Sequence, residues 1–257
     1  MKEKTSMRHS IVSSIILGVV LTLLVTIASA VSVILKFSNV GTLIAQTSAF
    51  LVMAIRLTVY MTRRGKSLAM FGFKKIEISK TKEVLYYIPL LIIALVQPVV
   101  GGINMKLSLI EVIMIIIFTF IVGYTEEALF RGVVKEKLQS KGPTFYIIFS
   151  SVFFGILHIA NALNGDNLSM AILQVVNAFL VGFILAELIT VTDNIIPLIA
   201  FHFIFDALAK MTNTDANGRG TLILTIWAII YTLYAAYLYV ILKKKAKLEV
   251  EIGNVVR

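Results

Sequence analysis

No cysteine occurs in the sequence, which excludes disulfides, thiolate metal sites and a cysteine nucleophile together. Charge is scarce as well. Asp, Glu, Lys and Arg make up 15% of the 257 residues, against about a quarter in an ordinary soluble domain. There is no internal repeat and no low-complexity tract. The longest polar stretch, Arg63 to Glu83, is too short to bury a core of its own, so no separate soluble domain is expected. What is present is apolar: 58% of the chain is hydrophobic and its mean hydropathy is +0.92.

The apolar residues lie in blocks. Ile11 to Leu35 and Thr221 to Leu242 carry no charge at all, and either run exceeds the roughly 20 helical residues that cross a bilayer core. Six further segments read as spans: Gly41 to Thr62, Val84 to Val100, Leu107 to about Leu138, Phe145 to Ala162, Ser169 to Ile189, and Ile195 to Leu208. Lipid offers backbone groups no water, so each must be helical. Pro89 and Pro98 should kink or end the third span. The expected fold is an all-α polytopic membrane protein of about eight transmembrane helices, with functional residues between helices 4, 5 and 7. Lys2, Lys4 and Arg8 before the first run suit a signal peptide, but its apolar stretch is too long, and an uncleaved first span is expected.

With the N-terminus placed in the cytoplasm, inside segments carry nineteen Lys and Arg and outside loops four. That imbalance fits the positive-inside rule and places both termini of a multi-pass cell-membrane protein in the cytoplasm. The net charge of +10 is then a topology signal, and nucleic acid is not expected as a partner. Membrane lipid and a peptide or membrane-protein substrate are.

Ionisable groups inside spans are costly and are functional candidates by default. Glu126, Glu127 and Arg131 form the first cluster. Glu127 and Arg131 are four apart on one helical face, in the order that favours an ion pair, while Glu126 lies about 100° round the helix without an obvious mate. The bland alternative is that all three sit where the helix leaves the bilayer. In the second cluster Phe154 and His158 share a face, so the ring can pack on the imidazole. The third, His202 and Asp206, is another i, i+4 pair, able to point into a cavity or merely to satisfy itself. Antiparallel helices turning near Gly142 bring Glu126 and His158, sixteen residues to either side, to one level. His202, nine residues beyond Asp193, reaches the same depth at about 14 Å. Access from the cytoplasmic side is the expectation.

Glu126-Glu127-x-x-x-Arg131, Phe154-x-x-x-His158 and His202-x-x-x-Asp206, in order on successive apolar helices, resemble the CPBP (Abi) intramembrane proteases. These include the CAAX prenyl endopeptidases and bacterial proteins linked to bacteriocin processing or immunity. The resemblance covers roughly 107–208 as a protease core, between an N-terminal unit at 1–106 and a C-terminal span and basic tail at 209–257. It implies an endopeptidase in which Glu126 and His158 activate a water and His202, with Asp206, stabilises an oxyanion. Glu127 and Arg131 join the expected catalytic set. Asp206 stands where the prenyl endopeptidases typically have Asn, and an ionised Asp cannot donate to an oxyanion; orienting His202 is its alternative task.

Two readings stay open beside this one. Glu126, His158 and His202 are also a His₂Glu set of the kind that holds a catalytic zinc, although no His-Glu-x-x-His signature occurs. A metal-free mechanism without a cofactor is favoured. From another class, a non-catalytic immunity or peptide-binding membrane protein would use the same polar residues differently. Gln174, Asn177 and Glu187, together with Arg56 and Glu111, suggest a polar path or simple packing between helices. The family label does not import prenyl specificity; peptide or bacteriocin maturation and self-immunity are equally compatible roles.

Overall fold

The computed structural model describes residues 2–75, 84–160, 168–213 and 219–255. Among these, helices form nearly everything, and the one strand-like feature is an isolated antiparallel bridge between Ile103 and Thr212. Eight helical rods follow in order: α1 Lys2–Ile34, α2 Asn39–Met61, α3 Ile88–Gly101, α4 Leu109–Lys141, α5 Pro143–Leu157, α6 Leu168–Thr192, α7 Ile196–Met211 and α8 Arg219–Val255. A short 3₁₀ turn, Leu68–Phe71, lies between α2 and α3.

Local sequence explains where these rods begin. Ser108 and Glu111 form a reciprocal capping box at the start of α4, with Ser108 Oγ accepting from the Glu111 amide and Glu111 accepting from the Ser108 amide at 2.9 Å. Three of the four prolines stand in the first turn of α3, α5 and α7, where a missing amide costs nothing. Pro89 therefore starts α3 instead of kinking it. Pro98 lies inside that helix, which ends three residues later at Gly101.

Six rods are long and apolar enough to cross a membrane. The other two are shorter: α3 has 14 residues, fewer than its apolar run from Val84 to Val100, and α7 has 16, slightly more than Ile195 to Leu208. At 1.5 Å per residue they rise about 21 and 24 Å, less than the roughly 30 Å of a hydrocarbon core. Both lie against other helices, α3 on α7 and α8, and α7 on α4. One face of each packs on protein, while Ile88, Leu91, Ile92, Leu95 and Val99 of α3 stay exposed.

The bundle has two distinct ends. At one, Lys66 pairs with Glu136 at 3.0 Å, Asp193 accepts from both Lys74 and Lys135, and Lys245 reaches the Val191 carbonyl. The loop after α2, the end of α4, the α6–α7 turn and the basic part of α8 thus share one basic face. At the other end, Asn39 donates to Glu111, and the Asn104 and Asn213 amides join the ends of α3 and α7.

Asp193 gives a pH-dependent test of this arrangement. Partial burial pushes its carboxyl up, but hydrogen bonds and charge from Lys135 and Lys74 outweigh that and hold it below the ordinary carboxylate range. A depressed folded-state value means that the clamp's stabilisation is complete above the ordinary aspartate range. It is lost as pH falls through the lowered value. Thermal melts of detergent-solubilised protein should therefore lose stability on acidification in wild type, and Asp193→Asn should flatten that part of the profile.

Candidate active site

Helix α4 changes character where the acidic pair lies. Leu109–Glu127 is α-helical, Ala128–Val134 is π-helical, and the rod then resumes as α-helix at Lys135–Leu138. All seven residues of the π segment are buried. Glu127 and Arg131 are fully buried and bonded to each other, Arg131 Nη1 donating to Glu127 Oε1 at 3.0 Å. The wet-interface alternative is thereby removed. Arg131 Nη2 also donates to the Gly182 carbonyl at 3.0 Å, and the guanidinium lies 4.8 Å from the centre of the Phe154 ring. Glu127 Oε2 and Arg131 Nε have no partner among the described residues, which leaves the pair imperfectly compensated.

Glu127 also holds the third motif. Its Oε1 accepts a second hydrogen bond from His202 Nδ1 at 2.8 Å. A carboxylate that also binds an arginine can only accept, so Nδ1 carries the proton. Nε2 of His202 then faces Glu126 Oε2 and Asp206 Oδ2, each at 3.6 Å. The Glu126 carboxylate, unpartnered on its own helix, thus finds its neighbours on α7.

His158 is oriented by different means. It is the C-cap of α5, not a mid-helix residue. Its own amide turns to the Gly155 and Ile156 carbonyls, leaving the Phe154 carbonyl without its usual backbone donor, and His158 Nδ1 donates there at 2.8 Å. This leaves Nε2 of the neutral ring as an acceptor. The Phe154 ring lies 4.6 Å from the imidazole, as the i, i+4 spacing anticipates.

Glu126, His158, His202 and Asp206 line one cavity of about 430 Å³. A second, of about 440 Å³, touches the same centre through His158, His202 and Asp206. Glu127 and Arg131 line neither cavity; they touch the lining through His202 and Phe154. Below the centre, on the basic face, Leu129, Val133, Val134, Phe71 and Ile195 are almost wholly buried and close the bundle. Counting residues along a helix gives depth, but not which end the side chains plug.

Some contributors carry no motif. A Cβ on Gly123 would lie 3.0 Å from the Phe203 nitrogen and 3.4 Å from His202 Cβ, so glycine lets α4 and α7 approach at the level of the centre. Its only sequence signal is a glycine within an apolar span. Gly182 supplies the carbonyl for Arg131. Of the proposed polar path, Gln174 and Asn177 line the second cavity, whereas Glu111 caps α4, Arg56 is exposed and Glu187 is buried elsewhere. These five residues do not form one path. Among the described residues, no three His, Cys, Asp or Glu side chains are grouped so as to hold a metal ion.

Residues 108–208 match the family model described as Rce1-like, type II CAAX prenyl endopeptidase. This is the family that the three motifs resemble, and the matched residues contain all of them. Neither the curated proteins nor the solved structures give a match.

Proposed function

We propose that this chain is a CAAX-type intramembrane endopeptidase in which Glu126 and His158 activate a water. The convergence of Glu126, His158 and His202 on one cavity carries the reading. The hydrogen bonds to Phe154 and Glu127, each made by a histidine Nδ1, support it by fixing the two rings. Glu126 acts as general base: it removes a proton from water while His158 Nε2 accepts the second hydrogen and aims the oxygen at the scissile carbonyl. The C–N bond breaks after addition, and the proton held by Glu126 passes to the leaving amine. His202 in its protonated form donates from Nε2 to the oxyanion, with Glu127 holding Nδ1 and Asp206 balancing the charge. The route needs no metal and no covalent intermediate.

Asp206 separates this role from its alternatives. Its carboxylate balances His202, so Asp206→Asn should lower kcat with little change in KM. If its task were to donate to the oxyanion, the amide would be tolerated or better. Purified protein assayed after treatment with a strong chelator should keep its activity. Loss of activity that Zn²⁺ restores would make Glu126 a ligand and overturn the metal-free route. A role in maturing secreted peptides or in self-immunity is consistent with this chemistry, and a non-catalytic peptide binder would retain its phenotype in His158→Ala.

A further inference from the structure

The cavity and the basic loops lie at opposite ends of the bundle. From Glu126 and His202, the lining of the first cavity continues through Thr22, Thr26 and Ser29 on α1 and Gln46 on α2 to Lys210 on α7. Those positions approach the end of α1, the start of α2 and the end of α7, which is the end marked by the Asn39–Glu111 contact and the Asn104 and Asn213 amides. The second cavity also runs that way, through Leu173 and Gln174 near the start of α6 and Leu224 near the start of α8. Toward the basic face, by contrast, the π segment is buried along its whole length, and Tyr146 donates to the Phe130 carbonyl at 3.2 Å beneath the centre.

Charge gives these ends their sides. The segments that meet on the basic face belong to the set carrying eighteen of the 24 Lys and Arg once the buried Arg131 is set aside, which the positive-inside rule assigns to the cytoplasm. Along α1 and α2 the lining of the first cavity carries Thr22, Thr26, Ser29 and Gln46 between Leu21, Val25 and Phe50, and Lys210 is its one Lys or Arg among the described lining residues. The hydroxyls and amide on that path can hydrogen-bond the backbone of a peptide chain.

We infer that the catalytic centre is reached from the extracytoplasmic side, and that its substrate is an exported peptide or the extracytoplasmic segment of a membrane protein. The word substrate rests on the protease reading above; the side of access does not. A substrate of this class is one that secretion or membrane insertion must deliver before cleavage. Hydrolysis would then release its product outside the cell.

The absence of cysteine makes the test direct. Gln46→Cys and Lys210→Cys place single thiols on the far part of the cavity, on two different helices, and Ser140→Cys places one on the basic face. Each full-length variant is exposed to a membrane-impermeant thiol reagent in intact cells and in inverted membrane vesicles, with abundance checked by immunoblot. Gln46→Cys and Lys210→Cys should react in intact cells, and Ser140→Cys only in inverted vesicles. Reaction of the cavity thiols only from the side that labels Ser140→Cys overturns the inference. So does their failure to react from either side while Ser140→Cys reacts, since no water path would then exist. Should one variant not accumulate, the other decides, with Thr26→Cys as its second. Labelling does not depend on catalysis: a protein labelled from outside but unaffected by Glu126→Gln would lose the proposed chemistry and keep this route.

Discussion

Glu126→Gln should reduce turnover by about 10²–10⁴-fold, the range that a positioned general base contributes, while leaving substrate binding and protein abundance close to wild type. Gln preserves the size of the side chain and its reach into the cavity but cannot take a proton from water. The environment makes the substitution mild for the fold. Glu126 has no bond to the Arg131 frame, and its nearest ionic neighbour is His202 Nε2 at 3.6 Å. The loss should therefore fall on kcat. A rise in KM with kcat unchanged would mean that Glu126 binds substrate without acting on water.

Arg131→Ala should act on the fold instead. Removing one partner of a buried ion pair typically costs about 3–5 kcal/mol, and here the deletion strands Glu127 and the Gly182 carbonyl together. Glu127 also fixes His202, so protein that does accumulate should be inactive. Arg131→Lys should recover part of the abundance, because one ammonium can reach one acceptor but does not reproduce the guanidinium fork. The readout is the yield of monodisperse protein and its melting temperature in detergent. Wild-type values for both variants would return Arg131 to the role of a solvated charge, despite its burial.

The parts legible in sequence were those governed by simple periodicities. Charge-free runs gave the long helices, because a bilayer demands about 20 apolar residues whatever their order. Spacing of four gave the Glu127–Arg131 pair and the Phe154–His158 stacking, both of which the helix geometry realises. Partners set by packing between helices were not legible. Nothing in the order of residues shows that Glu127 reaches across to His202, that Gly182 offers its carbonyl to Arg131, or that α4 becomes π-helical at Ala128. The position of His158 at the end of α5 was equally hidden, since Ile159 and Ala160 continue the apolar run past it. The shortness of α3 was hidden for a related reason. Apolar composition reports a dry environment, and protein neighbours supply that as well as lipid does.

The central claim is that Glu126 is the base of a hydrolytic centre, and one comparison tests it even before the substrate is identified. Membranes and culture medium from cells with wild-type protein and with Glu126→Gln, matched for expression, are analysed by peptide mass spectrometry in water enriched with ¹⁸O. The account predicts fragments with ¹⁸O in their new carboxyl termini in wild type that are missing from Glu126→Gln, where the uncleaved precursors accumulate. Identical fragment populations in the two, with both proteins folded at equal abundance, would contradict it.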